Sequence, residues 1–352
     1  MLIMILNILG GGLTAFLVSA LSTPIVKKLA IFFGVVDQPS ERKIHKNPIP
    51  HLGGIAICLG VLGALFLLSY GPLPHLPNSI LIGATSILFL GVIDDVFAIE
   101  ARWKLFGQIA VSAIPVSQGI IFTHLSIPFV GTFALGSFAA PVTIFFIISL
   151  INTLNLIDGL DGLAAGISLI VSATIGFIAW NTGNIPTLLL MSASIGATLA
   201  FLKYNFPPAK IFMGDSGSMF LGYILALASL QGVLQETLSW RICIPIMALG
   251  IPILDMIYAI IRRLKNKQAI FKPDRGHFHH ELLNSGLTQK QIALFSYFIT
   301  TILGILCILI FLSSGTQLYL VVGLSSLLIG SGLVLFKRNR KLIFRLVRTF
   351  IS

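Results

Sequence analysis

The chain has 352 residues; 56% are hydrophobic and only 10% are charged, 23 Lys or Arg against 12 Asp or Glu. A soluble domain carries roughly 25% charged residues, so this composition excludes a soluble globule, and with it a disordered chain, a coiled coil and a disulfide scaffold. In so apolar a chain, the formal net charge of +11 points to cytoplasmic Lys/Arg bias, anionic lipid or anionic substrates, and not to nucleic acid.

Apolar runs lie at 3–26, 52–70, 79–97, 105–122, 139–156, 162–180, 185–202, 217–235, 241–262, 292–313 and 316–336. A membrane span needs about 20 apolar residues, so the expected fold class is all-α: one polytopic integral membrane domain over 1–352 with about eleven transmembrane helices. The first run has no basic segment before it and is read as a retained span, not a signal peptide. Cys58, Cys243 and Cys307 each stand alone in an apolar run and are read as small buried residues.

The loops alternate in charge. Segments 27–51, 94–104, 157–161, 203–216 and 262–291, together with the tail 337–352, hold 22 of the 23 basic residues; Arg241 is the exception. The positive-inside rule then places these segments and the C-terminal tail in the cytoplasm and the N-terminus outside. Eleven of the 12 acids fall on the same side, with Glu236 the exception. That rule does not require the acids to follow the bases, so the polar chemistry is expected at one cytoplasmic-face cleft. A transporter should also place polar groups at mid-membrane and on both faces.

Along the chain, Arg42-Lys43-Ile44-His45-Lys46 leads into Pro48-Ile49-Pro50-His51-Leu52-Gly53-Gly54. Lys46 is either ordinary inside charge or a contact for an anionic substrate. The pair Asp94-Asp95 closes the third span. Adjacent carboxylates at a membrane edge repel one another and are costly to desolvate; a divalent cation or a cationic group would offset that, and the plain alternative is a solvated helix end. Arg102-Trp103-Lys104 follows, and Lys104 carries the same two readings as Lys46.

The fifth span ends in Asn152-x-x-Asn155-x-x-Asp158-x-x-Asp161, a spacing that makes helical neighbours of successive polar groups. Such oxygen ligands suit Mg2+; capping of the sixth span by Asp161 is the alternative. Asn205 and Phe212-Met213-Gly214-Asp215-Ser216-Gly217 precede the eighth span. Asp215 is either a helix cap or a third oxygen ligand facing Asp94 and Asp95. The Gly-Asp-Ser-Gly run also suggests an intramembrane serine protease, but no histidine lies within a span to act as its base. Asp255 sits about two turns inside the ninth span, where a charge faces a cavity or a partner. In the longest loop, Arg275, His277, His279 and His280 form an anion-binding or acid/base cluster, with zinc binding and a solvated basic loop as rivals.

Taken in order, Pro50 to Gly54, Asp94-Asp95, Ala101 to Lys104, Asn152 to Gly162, Asn205 to Gly217 and Asp274 to His280 resemble the polyprenyl-phosphate N-acetylhexosamine-1-phosphate transferases. The stretch from Asp274 to His280 is closer to the GlcNAc-1-phosphate branch than to the pentapeptide branch, which carries three adjacent histidines. Phe278 departs from the GlcNAc-1-phosphate branch, which often has an aliphatic residue there. The resemblance implies a multi-pass enzyme of the bacterial inner membrane. It would transfer GlcNAc-1-phosphate from UDP-GlcNAc to undecaprenyl phosphate with release of UMP, as the first membrane step of a cell-envelope polysaccharide such as O-antigen or teichoic acid. It implies Mg2+, with Mn2+ as a substitute, and a homodimer as in many relatives.

For the site, the resemblance implies Asp215 as direct metal ligand, with Asp94 and Asp95 near the metal and the lipid phosphate. Asn152, Asn155, Asp158 and Asp161 would line the same cleft. Asn205 and Phe212 would belong to the nucleotide pocket, with Phe212 stacking on uracil. Arg275, His277, His279 and His280 would meet the donor's phosphates or sugar, and Lys46 and Lys104 are read beside them as candidate substrate contacts. Other UDP-HexNAc donors, UDP-MurNAc-pentapeptide, and an ion-coupled transporter or lipid flippase are the alternatives. Direct attack by the lipid phosphate and an aspartyl intermediate both stay open.

Overall fold

A lipid-embedded segment must satisfy its backbone N–H and C=O groups internally, so each long apolar run becomes a helix. The computed structural model describes residues 2–39, 47–70, 74, 76–127, 130–234, 237–238, 240–265, 282–313 and 322–323. Its helices are α1 (Leu2–Phe32), α2 (Gly53–Leu68), α3 (Asn78–Phe97), α4 (Ala101–Ser117), α5 (Ala139–Ile157), α6 (Leu163–Thr182), α7 (Ile185–Asn205), α8 (Gly214–Ser229), α9 (Cys243–Ala248), α10 (Gly250–Lys265) and α11 (Gln289–Leu312). A π turn, Leu230–Leu234, extends α8. The predicted ninth run is split between α9 and α10. The eleventh lies almost wholly outside the described residues.

Among the described residues, seven helices are long and apolar enough to cross a membrane: α1, α3, α5, α6, α7, α8 and α11. The all-α, multi-pass expectation therefore holds. The count of eleven does not follow from length alone, because α2 has 16 residues, α4 has 17 and α10 has 16.

Of the seven, α8 is the least apolar and the most buried. Small residues let its neighbours approach closely, as in other lipid-embedded helix pairs. Gly222 lies against the backbone of Ile151 in α5, and Gly217 against that of Gly54 in α2. Around α8 pack α2, α3, α5, α6 and α7, and α1 packs on α2 and α7.

Short strands finish the two ends. At one end β1 (Val36–Asp37) pairs antiparallel with β2 (Ile49–Pro50), and a bridge from His51 to Phe212 ties this hairpin to the loop before α8. At the other end β3 (His124–Ile127) lies between β4 (Gly131–Ala134) and β5 (Thr237–Leu238) in the order β4-β3-β5. The chain therefore places the C-termini of α3, α5 and α7 together with the N-termini of α2, α4, α6 and α8 at the β1–β2 end.

Candidate active site

The start of α8 organises this end. The first backbone N–H groups of a helix have no partner inside it and need acceptors from elsewhere. Met213, at the cap position, supplies none. The carboxylate of Asp95, from α3, does so instead: its two oxygens accept from the N–H of Asp215 at 2.7 Å and of Ser216 at 3.0 Å. Asp158, in the α5–α6 loop, lies near enough to the N–H of Gly214 for that group to favour its charged form. From the other side, the N–H groups of Gly53 and Gly54 donate to the carbonyls of Phe212 and Met213 at 2.9 and 2.8 Å.

Asp215 is thereby presented at the cleft. Its Oδ1 accepts from the amide of Asn155 at 2.7 Å, and its Oδ2 takes a close ion pair from Lys104. The same ammonium pairs with Asp94 Oδ2 at 2.7 Å and donates to Asn155 Oδ1 at 3.2 Å. Four helices thus contribute one group each: Asp94 from α3, Lys104 from α4, Asn155 from α5 and Asp215 from α8. Side-chain exposure rises from 9% at Asp94 through 16% at Lys104 to 31% at Asp215, so Asp215 is the more open of these two carboxylates. Asp94 also has a local task. Its Oδ1 accepts from the N–H of Ile99 at 2.9 Å, closing the left-handed turn at Ala98 that aims α4, and so Lys104, back at the acids.

Charge at this end is out of balance. Packing around Asp158 raises its pKa well above the ordinary carboxylate range, and the carboxylates of Asp215, Asp95 and Asp161 push the same way. The donors that could answer this with a cation are hard oxygens: the carboxylates of Asp94 and Asp215 and the amide oxygen of Asn155. No group of three His, Cys, Asp or Glu that could hold a metal occurs among the described residues. Two carboxylates and an amide suit an ion such as Mg2+, which keeps waters and takes substrate phosphates as further ligands.

Several expected site residues are placed differently from one another. The side chain of Asp95 is fully buried, with His51 Nδ1 3.7 Å from its Oδ1. Asp161 does not cap α6, whose cap position is Gly162 without a side-chain bond. Its Oδ2 accepts from the N–H of Ala209 at 2.9 Å, and its own N–H donates to Gln289 Oε1 at 3.2 Å. Asn152 lies one helical turn deeper than Asn155, in a reciprocal amide pair with Gln108, its Nδ2 donating at 2.7 Å. Asn205 is 2% exposed and ties two loops, accepting from Gly162 N–H and donating to the Ile211 carbonyl, both at 3.0 Å. Phe212 stands edge-on to His51, with ring centroids 6.2 Å apart. Asp255 is 5% exposed. Lys46, Arg275, His277, His279 and His280 lie outside the described residues.

Beside the acids, a pocket of about 590 Å³ is lined by Lys27, Asn47, Pro50, Asp161, Lys210 and Gln289 among others. Two lysines against one carboxylate, with the side-chain amides of Asn47 and Gln289, suit a polar ligand that carries negative charge. Sequence reasoning did not single out Gln108, Ser218, Gln289 or Tyr297. Ser218 accepts from Asn155 at 2.9 Å, and Tyr297 donates to the Gly162 carbonyl at 2.6 Å. Gln108 was detectable as an amide in the middle of an apolar run; the others carry no signal of their own.

The family model described as glycosyl transferase family 4 matches residues 78–233. A relative from Bacillus subtilis (strain 168), named probable undecaprenyl-phosphate N-acetylglucosaminyl 1-phosphate transferase, is 44% identical over 84% of this chain and 84% of its own. The decaprenyl-phosphate N-acetylglucosaminephosphotransferase of Mycobacterium tuberculosis (strain ATCC 25618 / H37Rv) is 35% identical over 81% of this chain and 78% of its own. The undecaprenyl-phosphate alpha-N-acetylglucosaminyl 1-phosphate transferase of Escherichia coli (strain K12) is 30% identical over 79% and 77%.

Proposed function

The chain belongs to glycosyl transferase family 4, and we propose that it transfers N-acetylglucosamine 1-phosphate from UDP-N-acetylglucosamine to undecaprenyl phosphate, releasing UMP, at the cytoplasmic face of a bacterial inner membrane. The observation that carries this reading is the meeting of Asp94, Lys104, Asn155 and Asp215 at one end of the bundle. The acceptor phosphate sits at the membrane edge, and the donor diphosphate comes from the aqueous side. These anions repel, so the site must neutralise charge before they can react.

The residues divide that work. Asp215 and Asp94 would hold a divalent ion, Mg2+ or Mn2+ in its place, which supplies charge neutralisation at the donor phosphates. Asn155 fixes the Asp215 carboxylate through one amide hydrogen bond and, with its amide oxygen, keeps Lys104 beside it. Lys104 is the cation of the cluster and would turn to a phosphate as one arrives. The neighbouring pocket, with Asp161, Lys27 and Lys210, would take the nucleotide end of the donor against a wall that Asn205 and Phe212 hold in place. Lys46 and the loop with Arg275, His277, His279 and His280 would complete the contacts to phosphates and sugar.

The test incubates membranes containing the protein with radiolabelled UDP-GlcNAc and undecaprenyl phosphate, with and without Mg2+. Lipid-linked label and UMP are expected only with Mg2+, and Asp215→Asn is expected to abolish both. No lipid product from any UDP-HexNAc would sink the reading, and full activity in Asp215→Asn would sink the metal assignment alone.

A further inference from the structure

The adjacent acids Asp94 and Asp95 are separated in task by their places on α3. Successive residues on a helix point about 100° apart. Asp94 turns to Lys104, while Asp95 turns to the backbone of α8. We propose that Asp95 is a positioning residue: its carboxylate fixes the first turn of α8 and thereby sets where Asp215 stands in the cleft. The proposal rests on the reading of Asp215 given above, but the cap itself is a property of the fold.

Three observations carry it. Both oxygens of Asp95 accept from α8 backbone N–H groups, and its side chain has no exposed surface, so it has no face toward a substrate. The helix it caps brings no side-chain cap of its own, and an anion is favoured at a helix N-terminus. The chain is also shaped around this carboxylate. Gly214 has φ +75°, and a Cβ there would lie 2.6 Å from Asp95 Oδ2. One turn earlier on α3, a Cβ on Gly91 would lie 2.4 Å from the Cα of Ser216. Thus α3 and α8 meet backbone to backbone, and Asp95 closes that contact on the residue whose side chain reaches the cleft.

Hydrogen exchange of the segment 213–220, measured on purified protein, reads the cap without reference to activity. Asp95→Asn replaces one acceptor oxygen by a donor facing a backbone N–H. It is expected to speed exchange of this segment about fivefold, the scale of a lost helix cap, while Asp94→Asn leaves it as in the parent. In the transfer assay Asp95→Asn is expected to lower kcat by about 100-fold, the scale of a small misplacement of a reacting group. KM for UDP-GlcNAc and the shape of the pH–rate profile should be retained. Asp95→Glu, which keeps the charge but moves it by one methylene, is expected to reproduce both effects in smaller measure should Asp95→Asn fail to fold. Unchanged exchange in these variants overturns the proposal, as does loss of one limb of the pH profile in Asp95→Asn, which would make Asp95 an acid or base. Faster exchange in a protein whose parent form transfers no sugar phosphate upholds the cap and refutes the proposed function instead.

Discussion

Asp158 keeps a carboxyl where its surroundings resist the charge. Packing around it, and then the carboxylates of Asp215, Asp95 and Asp161, hold its pKa well above the ordinary range, although the nearby N–H of Gly214 pulls it down. The folded protein therefore binds this proton more tightly than the unfolded chain does. The stabilisation is complete below the ordinary carboxylate range and is lost as pH rises through the folded-state value. Asp158→Asn keeps an acceptor for Gly214 and removes the charge. In detergent it is expected to melt higher than the parent near pH ~7.5, with the difference gone near pH ~3, and to lose most transfer activity. Equal melting temperatures across that range would show that the charge carries no strain. The acids were legible in the sequence because charge is scarce in an apolar chain and must be answered. What answers it was not legible. Asn152 finds Gln108, and Asn205 finds the backbone of Gly162 and Ile211. A residue type states that a polar group needs a partner; a backbone N–H offered by another element leaves no trace in sequence.

Helices were legible where both ends are marked by a change in polarity. The runs 79–97, 139–156 and 185–202 became Asn78–Phe97, Ala139–Ile157 and Ile185–Asn205. The run 105–122 became Ala101–Ser117, because the apolar window omits Arg102-Trp103-Lys104 although they form the first turn of α4. That turn is what carries Lys104 to the acids. The role of α11 was invisible, since a lipid-facing helix and one that braces a loop have the same composition. It begins in a Thr288–Gln291 capping box and lies beyond the segment 78–233 that the family model matches. Yet it holds the loop of Asp158 and Asp161 from behind: Tyr297 O–H donates to the Gly162 carbonyl at 2.6 Å, and Gln289 accepts from Asp161 N–H at 3.2 Å. Gly166 leaves room for the Tyr297 ring, which a Cβ there would approach to 2.0 Å. Tyr297→Phe removes the hydrogen bond and keeps the ring. It is expected to cost about 1 kcal/mol of stability and to raise KM for the nucleotide donor, because Asp161 lines the neighbouring pocket. Steady-state kinetics beside a melting curve checks this; a fall in kcat alone would place the effect at the acid cluster instead.

Across the whole molecule, the placement of charge and the placement of chemistry coincide. The 19 residues of α5 rise about 28 Å, close to the ~30 Å hydrocarbon core of a bilayer, and separate the acid cluster from the β4-β3-β5 sheet. Arg241 lies beside that sheet, between β5 and α9, whereas the other described bases gather toward the acid end. Orientation then decides whether the reaction is feasible at all, since a nucleotide-sugar donor is made in the cytoplasm and must reach Asp215 from that side. Single cysteines, placed after replacement of the three native ones, separate the two orientations. Thr132→Cys on exposed β4 is expected to react with a membrane-impermeant maleimide in intact spheroplasts. Lys210→Cys, at an exposed position lining the pocket, is expected to react only after permeabilisation. The reverse pattern would put the acid cluster outside the cell, where no such donor is supplied, and would contradict the proposed reaction however well the residues fit it.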